Sequence, residues 1–184
     1  MLNKVVQLLE KSAKGACLGQ EEVLDDDRLI IDYKQINKVC KLLKSELQFT
    51  LLVDLTAVDY LEYDEKPDRF EMIYQLFSLK NNYRLRLRAA LPEGTKIDTV
   101  SDVWQIANAL EREVWDMFGI KFNNHPDLRR LLLYPEFEGH PLLKDYPLKK
   151  HQPIVNFLKP IVIKDDPPYN WTETQRKRKL NLDN

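Results

Sequence analysis

Apolar positions change their period several times along the chain, and each change marks an element. Leu2, Val5, Val6, Leu8 and Leu9 recur at helical spacing, which predicts an amphipathic helix over 2–14 ending near Gly15. The run RLIID (28–32) reads as a short strand. Ile36, Val39, Cys40, Leu42 and Leu43 then give one apolar face to a helix over 34–46. Three longer runs follow, FTLLVDLTAVDYL (49–61), RFEMIYQLFSLK (69–80) and YRLRLRAAL (83–91), rich in β-branched and aromatic residues. DEKPD (64–68) and Asn81-Asn82 separate them with turn composition, and Asn tolerates the positive φ of a two-residue hairpin, so an antiparallel meander is expected.

A further helical pattern runs from Ser101, a candidate cap, to Phe118, with Gly119 where helices need a left-handed residue. At 100° per residue, Trp104, Ile106, Ala107, Leu110, Val114, Trp115, Met117 and Phe118 form an apolar arc. Gln105, Arg112, Glu113 and Asp116 fall opposite, where Arg112 and Asp116 are spaced to neutralise each other. Glu111 falls inside the apolar arc, where a carboxylate is costly unless it meets a cation or several donors. Arg129, Arg130 and Lys144 are its candidate partners, and an ion pair with Arg129 or Arg130 would staple the following segment to the helix.

The expected fold is α+β, a two-layer sandwich of helices on a mostly antiparallel sheet with an extended C-terminal tail. Residues 1–118 form the α+β domain, 119–148 a loop region packed on it, and 149–184 a proline-rich tail. That tail carries Phe157, Tyr169 and Trp171 among other apolar residues but no amphipathic period, so it is expected to lie extended along a partner.

Charge and composition narrow the chemistry. With 28 basic against 29 acidic residues, a net charge of -1 gives no field that would draw the whole molecule onto nucleic acid or anionic lipid. No apolar run approaches the roughly 20 residues of a membrane-spanning helix. The first apolar stretch is too short for a signal core and reads as a mature cytoplasmic amino terminus. Cys17 and Cys40 read as free thiols, too few for an iron–sulfur cluster, and the five glycines form no phosphate-binding loop.

Three site hypotheses remain open on residues alone. A metal enzyme would use His125, His140 and His151 with Asp127, Glu138 or Asp145, but no pair of histidines has a local ligand spacing. Nucleophilic or acid–base chemistry on Ser45, Ser78, Ser101, Glu111, Glu113 or Asp116 lacks a matching motif or a shared direction. Nucleic-acid binding would use Arg84, Arg86 and Arg88 or the cluster RKRK (176–179). Against it, alternating arginines are how a half-buried strand reads, with Glu71 able to pair with them across strands.

The stretch EREVWDMFGIKFNNHPDLRRLLLYPEFEGHPLLKDYPL (111–148) closely resembles the signature of the 30-kilodalton subunit family of proton-pumping NADH:quinone oxidoreductase, respiratory complex I, whose members also carry the letter C. The resemblance rests on Glu111, Arg112, Glu113, Asp116 and Gly119, then His125, Pro126, Asp127, Arg129 and Arg130, then Gly139, His140, Lys144 and Asp145. It implies a peripheral-arm subunit without a redox centre, on the cytoplasmic side of a bacterial inner membrane and bound to it through the complex. FMN and iron–sulfur clusters would sit in partner subunits, with NADH and quinone as substrates of the complex. The implied neighbours are the quinone-site subunit, lettered D, and two cluster-bearing subunits, lettered B and I. Relatives in hydrogenases and in ferredoxin- or coenzyme-F420-dependent complexes are the alternative. The signature residues would then form an interface rather than an active site.

Overall fold

Strong alternation in the middle of the chain produces the sheet on which everything else is built. The computed structural model describes residues 1–23, 26–63 and 65–153, which fall within one compact unit ending at Pro153. The elements are α1 (Leu2–Ser12), β1 (Cys17–Val23), β2 (Asp26–Ile31), α2 (Ile36–Leu47), β3 (Leu51–Asp59), β4 (Phe70–Ser78), β5 (Tyr83–Leu91), β6 (Ile97–Asp98), α3 (Ala107–Phe118) and β7 (Phe122–Asn123). From residue 154 onward the expected tail lies outside the described residues.

Five strands form one sheet in the order β1-β2-β5-β4-β3, and only the β2–β5 pair in it is parallel. The meander expected over β3, β4 and β5 is present, and Asn82 takes φ 44 in the last hairpin, the positive angle for which Asn is suited. Leu29, Ile31, Leu85, Leu87, Met72, Tyr74 and Leu76 are buried in one core with Val5 and Leu9 of α1 and Ile36, Val39 and Leu43 of α2. Ala107 and Val114 of α3 join the same core, so the helices share one face of the sheet, an α+β two-layer sandwich.

Three features depart from the periodic reading. Strand β1 was not expected, because CLGQEEV carries a glycine and three consecutive polar residues; it forms as an edge against β2 with a register shift between Cys17 and Gly19. The two-residue pair β6–β7 is too short to leave a pattern. Helix α3 starts at Ala107, not Ser101, because residues 100–104 make a separate turn in which the Val100 carbonyl accepts from both Val103 and Trp104. Trp104 keeps the apolar period going through that turn, and Ser101 spends its own N–H on Thr99 Oγ1 instead of capping the helix.

The arginine comb on β5 is a cross-strand device. Arg88 donates to both oxygens of Glu71 at 2.9 Å and to Glu21 at 2.6 Å, as the half-buried strand reading requires. Arg84 lies over the Phe77 ring.

Candidate functional site

Helix α3 ends with a left-handed Gly119 (φ 75), and the chain then runs back over the helix instead of leaving it. That return covers the part of the solvent arc that holds Arg112 and Asp116, leaving Gln105 and Glu113 exposed. Asp116, expected outside, is fully buried: Oδ1 accepts from Arg130 Nη1 at 2.7 Å, and Oδ2 accepts the amides of Leu131, Leu132 and Leu133 at 3.1, 2.9 and 2.9 Å. Burial alone would raise its pKa, yet the three amides and Arg130 outweigh it and hold the carboxyl below its ordinary value. Arg112 does not pair with Asp116 as its i, i+4 spacing suggested. Its Nε and Nη2 donate to the carbonyls of Arg129 and Arg130 at 3.1 and 3.0 Å. An acceptor and a donor one helical turn apart thus grip opposite polarities of a single backbone segment.

Arg130 is the centre of this segment. Besides Asp116 it donates to the carbonyls of Phe137 (2.6 Å) and Gly139 (3.1 Å), and its guanidinium lies 5.8 Å from the Trp115 ring centroid and 5.6 Å from that of Phe137. His140 covers the C-terminal end of α3: its Nδ1–H donates to the Asp116 carbonyl at 2.9 Å, and the Leu142 amide donates to the Met117 carbonyl at 3.0 Å. The imidazole sits so close over Gly119 that a Cβ there would lie 2.7 Å from His140 Cδ2. Gly139, at φ 93, is similarly pressed by the Tyr146 ring, which stacks on Phe137.

A second tie joins the segment to the sheet. The Lys144 amide donates to Asp59 Oδ2 at 2.9 Å, and Asp145 accepts from Arg69 Nη2 at 2.6 Å. Arg69 also holds Asp59 at 3.2 Å through both Nε and Nη2, and pairs with Glu93. Asp59 is buried, which disfavours its charge, but Arg69 and the Lys144 and Leu61 amides pull its pKa down on balance.

Glu111 does lie in the apolar interior, with no side-chain exposure, but its expected partners are engaged elsewhere. Arg129 binds Asp127 (2.8 Å), Arg130 binds Asp116, and Lys144 presents its amide to Asp59. Instead, Oε1 accepts the Val100 amide at 2.7 Å and Oε2 the Thr99 hydroxyl at 2.5 Å, with His125 Nε2 at 3.8 Å. Burial raises this carboxyl to about 7 against the pull of those two donors, and Asp102 adds to the rise. The stapling role expected of Glu111 belongs to Asp116, which helical arcs alone place on the wrong side.

The remaining signature residues fall around this frame. His125 accepts the Asp127 amide on Nδ1 (3.1 Å) and reaches the Asn108 carbonyl with Nε2 (3.2 Å). Pro126, Asp127 and Glu113 are exposed. Among the described residues no group of three or more His, Cys, Asp or Glu is placed to hold a metal, and both His125 and His140 address backbone groups. Among exposed Glu136, Glu138, Lys144 and Asp145, the segment also holds leucines outward: Leu132, Leu142 and Leu148 are 61%, 51% and 103% exposed.

Comparison with known proteins spans the whole of this frame. The family described as respiratory-chain NADH dehydrogenase, 30 Kd subunit, matches residues 29–152, from β2 to the end of the strapped segment. The chain belongs to this family. A relative from Geobacter metallireducens, the NADH-quinone oxidoreductase subunit lettered C, is 46% identical over 148 residues, covering 80% of this chain and 90% of the relative. Among solved structures, a trypsin-resistant fragment of Nqo5 is matched over its whole length and 70% of this chain, with 33% identity and a TM-score of 0.60. A chain of the membrane-bound sulfane sulfur reductase, an archaeal respiratory membrane complex, shares the fold at 23% identity and a TM-score of 0.66.

Proposed function

We propose that the chain works as a non-redox structural subunit of NADH-quinone oxidoreductase. In this reading residues 119–148, fixed on α3 and on the sheet edge, are its docking surface. Membership in the family and 46% identity to a relative of that name make it a subunit of that enzyme and part of the complex I peripheral arm. No helix among the described residues is long and apolar enough to cross a membrane, consistent with attachment through the complex. The observation that carries the docking reading is the contrast inside one segment: Asp116, Arg112, Arg130 and Asp59 bond to its backbone, while Leu132, Leu142 and Leu148 face outward.

The quinone-site subunit is the neighbour of this surface, with the two cluster-bearing subunits nearby. FMN and iron–sulfur clusters belong to partner subunits, NADH and quinone are substrates of the whole complex, and the assembly faces the cytoplasm from the inner membrane. Purification of the tagged chain from native membranes in mild detergent, with identification of co-purifying subunits and a NADH:quinone activity assay, tests this assignment. The quinone-site and cluster-bearing subunits in equal amounts with activity support it; recovery of the chain without them refutes it.

A further inference from the structure

Among the described buried carboxylates, Glu111 is set apart by its surroundings. Asp59 faces Arg69, Asp116 faces Arg130 and Glu71 faces Arg88. The titratable groups that face Glu111 are His125 after β7, Asp102 in the turn before α3, Cys40 on α2 and Tyr74 on β4. Asp102 is itself paired with Lys41 at 2.7 Å, Cys40 is a buried thiol, and the buried Tyr74 hydroxyl has no hydrogen-bond partner. His125 is neutral in this geometry, because Nδ1 accepts the Asp127 amide while Nε2–H donates to the Asn108 carbonyl. None of these supplies a positive charge to offset a carboxylate in a dry interior.

The hydroxyls next to Glu111 complete the picture. Thr99 Oγ1 lies 2.5 Å from Glu111 Oε2 and 2.8 Å from Ser101 Oγ, while it accepts the Ser101 amide at 3.1 Å. Ser101 carries its own hydroxyl proton, so this hydrogen-bond chain can run either way: toward a charged Glu111, Ser101 donates to Thr99 and Thr99 to Oε2. With a neutral Glu111 the acid O–H donates to Thr99, Thr99 donates onward to Ser101, and Oε1 still accepts the Val100 amide, so the neutral acid keeps every contact without placing an uncompensated charge in the dry interior. Thr99 in turn carries β7, since its amide donates to the Asn123 carbonyl, and β6 pairs Ile97 with Phe122 and Asp98 with Asn123.

We propose that Glu111 is a proton-operated latch. As a neutral acid it locks the strap made by residues 97–101 and 122–127 onto α3. Breaking its O–H bond, with release of the proton to water, loosens that strap. The start of the docking segment, at His125 and Pro126, loosens with it; this last consequence rests on the docking reading, whereas the latch does not.

The full-length chain tests the proposal in two ways. Infrared difference spectra between pH 6 and pH 8.5 are expected to show a protonated-carboxyl C=O band lost at high pH in the wild type and missing in Glu111→Gln. Hydrogen exchange, corrected for the intrinsic rate, is expected to show protection of Val100 and of 122–127 falling roughly tenfold from pH 6 to pH 8.5, with β4 and β5 unchanged. In Glu111→Gln, whose amide can donate to Thr99 and accept from Val100 as the neutral acid does, protection stays level. Charging His125 would loosen the strap on acidification, the opposite sign. No carboxyl band in the wild type, or strap protection independent of pH, overturns the latch even if Glu111→Gln does not fold; the same fall in a folded Glu111→Gln overturns it as well.

Discussion

Replacing Asp116 by Asn is the sharpest test of how the segment after α3 is held, because it changes one atom and leaves the shape alone. The carboxylate uses both oxygens as acceptors in opposite directions, Oδ1 toward Arg130 and Oδ2 toward three successive amides. An Asn has one acceptor and one donor, so either its NH2 faces three N–H groups or it faces the guanidinium. In both cases donors oppose donors and Arg130 loses its counter-charge. Breaking a buried pair by removing one partner costs about 3–5 kcal/mol, and a typical domain has only roughly 5–15 kcal/mol in total. Urea unfolding followed by tryptophan fluorescence, with Trp115 beside Arg130 as a local reporter, measures the loss. The sign of its pH dependence is fixed: the Asp116 carboxyl is held below its ordinary value, so its contribution is complete above about pH 4 and is lost as pH falls through the lowered value. The gap between wild type and Asp116→Asn should therefore narrow in acid. A variant within about 1 kcal/mol of wild type at pH 7 would refute the reasoning, since that is the size of an ordinary surface substitution.

Other expectations follow from the same contacts. Gly119→Ala forces a Cβ into the His140 ring at positive φ and should cost about 1–3 kcal/mol in thermal unfolding, partly relieved when combined with His140→Ala. Arg69→Met leaves Asp59 buried without its cation and should lose about 3–5 kcal/mol at pH 7, a loss that shrinks in acid as Asp59 protonates. The double variant Leu132→Asp/Leu142→Asp should unfold within about 0.5 kcal/mol of wild type yet fail to co-purify with the complex; normal co-purification would sink the docking surface.

The sequence revealed those parts of the fold in which a residue's neighbours in the chain decide its environment. Strands β4 and β5 alternate cleanly because the core lies on one side of them, and the Arg88–Glu71 pairing follows from that alternation. Strand β1 was hidden because an edge strand with Gly19 and Glu21 owes its existence to its partner. The arcs of α3 flagged Glu111 correctly as an anomaly but chose the wrong partners, and they placed Asp116 in solvent. Helical periodicity describes a cylinder; it contains nothing about a later segment folding back to cover the polar side. The cations Arg129, Arg130 and Lys144 and the family signature both pointed to that segment, but nothing in the sequence assigned Arg130 to Asp116.

The two ties of the strapped segment have different reach along the chain, which gives its formation an order. The bonds from Asp116 to Arg130 and to the amides of Leu131, Leu132 and Leu133 close loops of 14 to 17 residues, and His140 closes one of 24. The Lys144 tie to Asp59 closes a loop of 85. Short loops close faster and at lower entropic cost, so the segment should settle on α3 first and meet the sheet afterwards. During synthesis, the helix and its wrapping can therefore mature as one local unit as soon as His140 has emerged, whatever the state of the strands behind it.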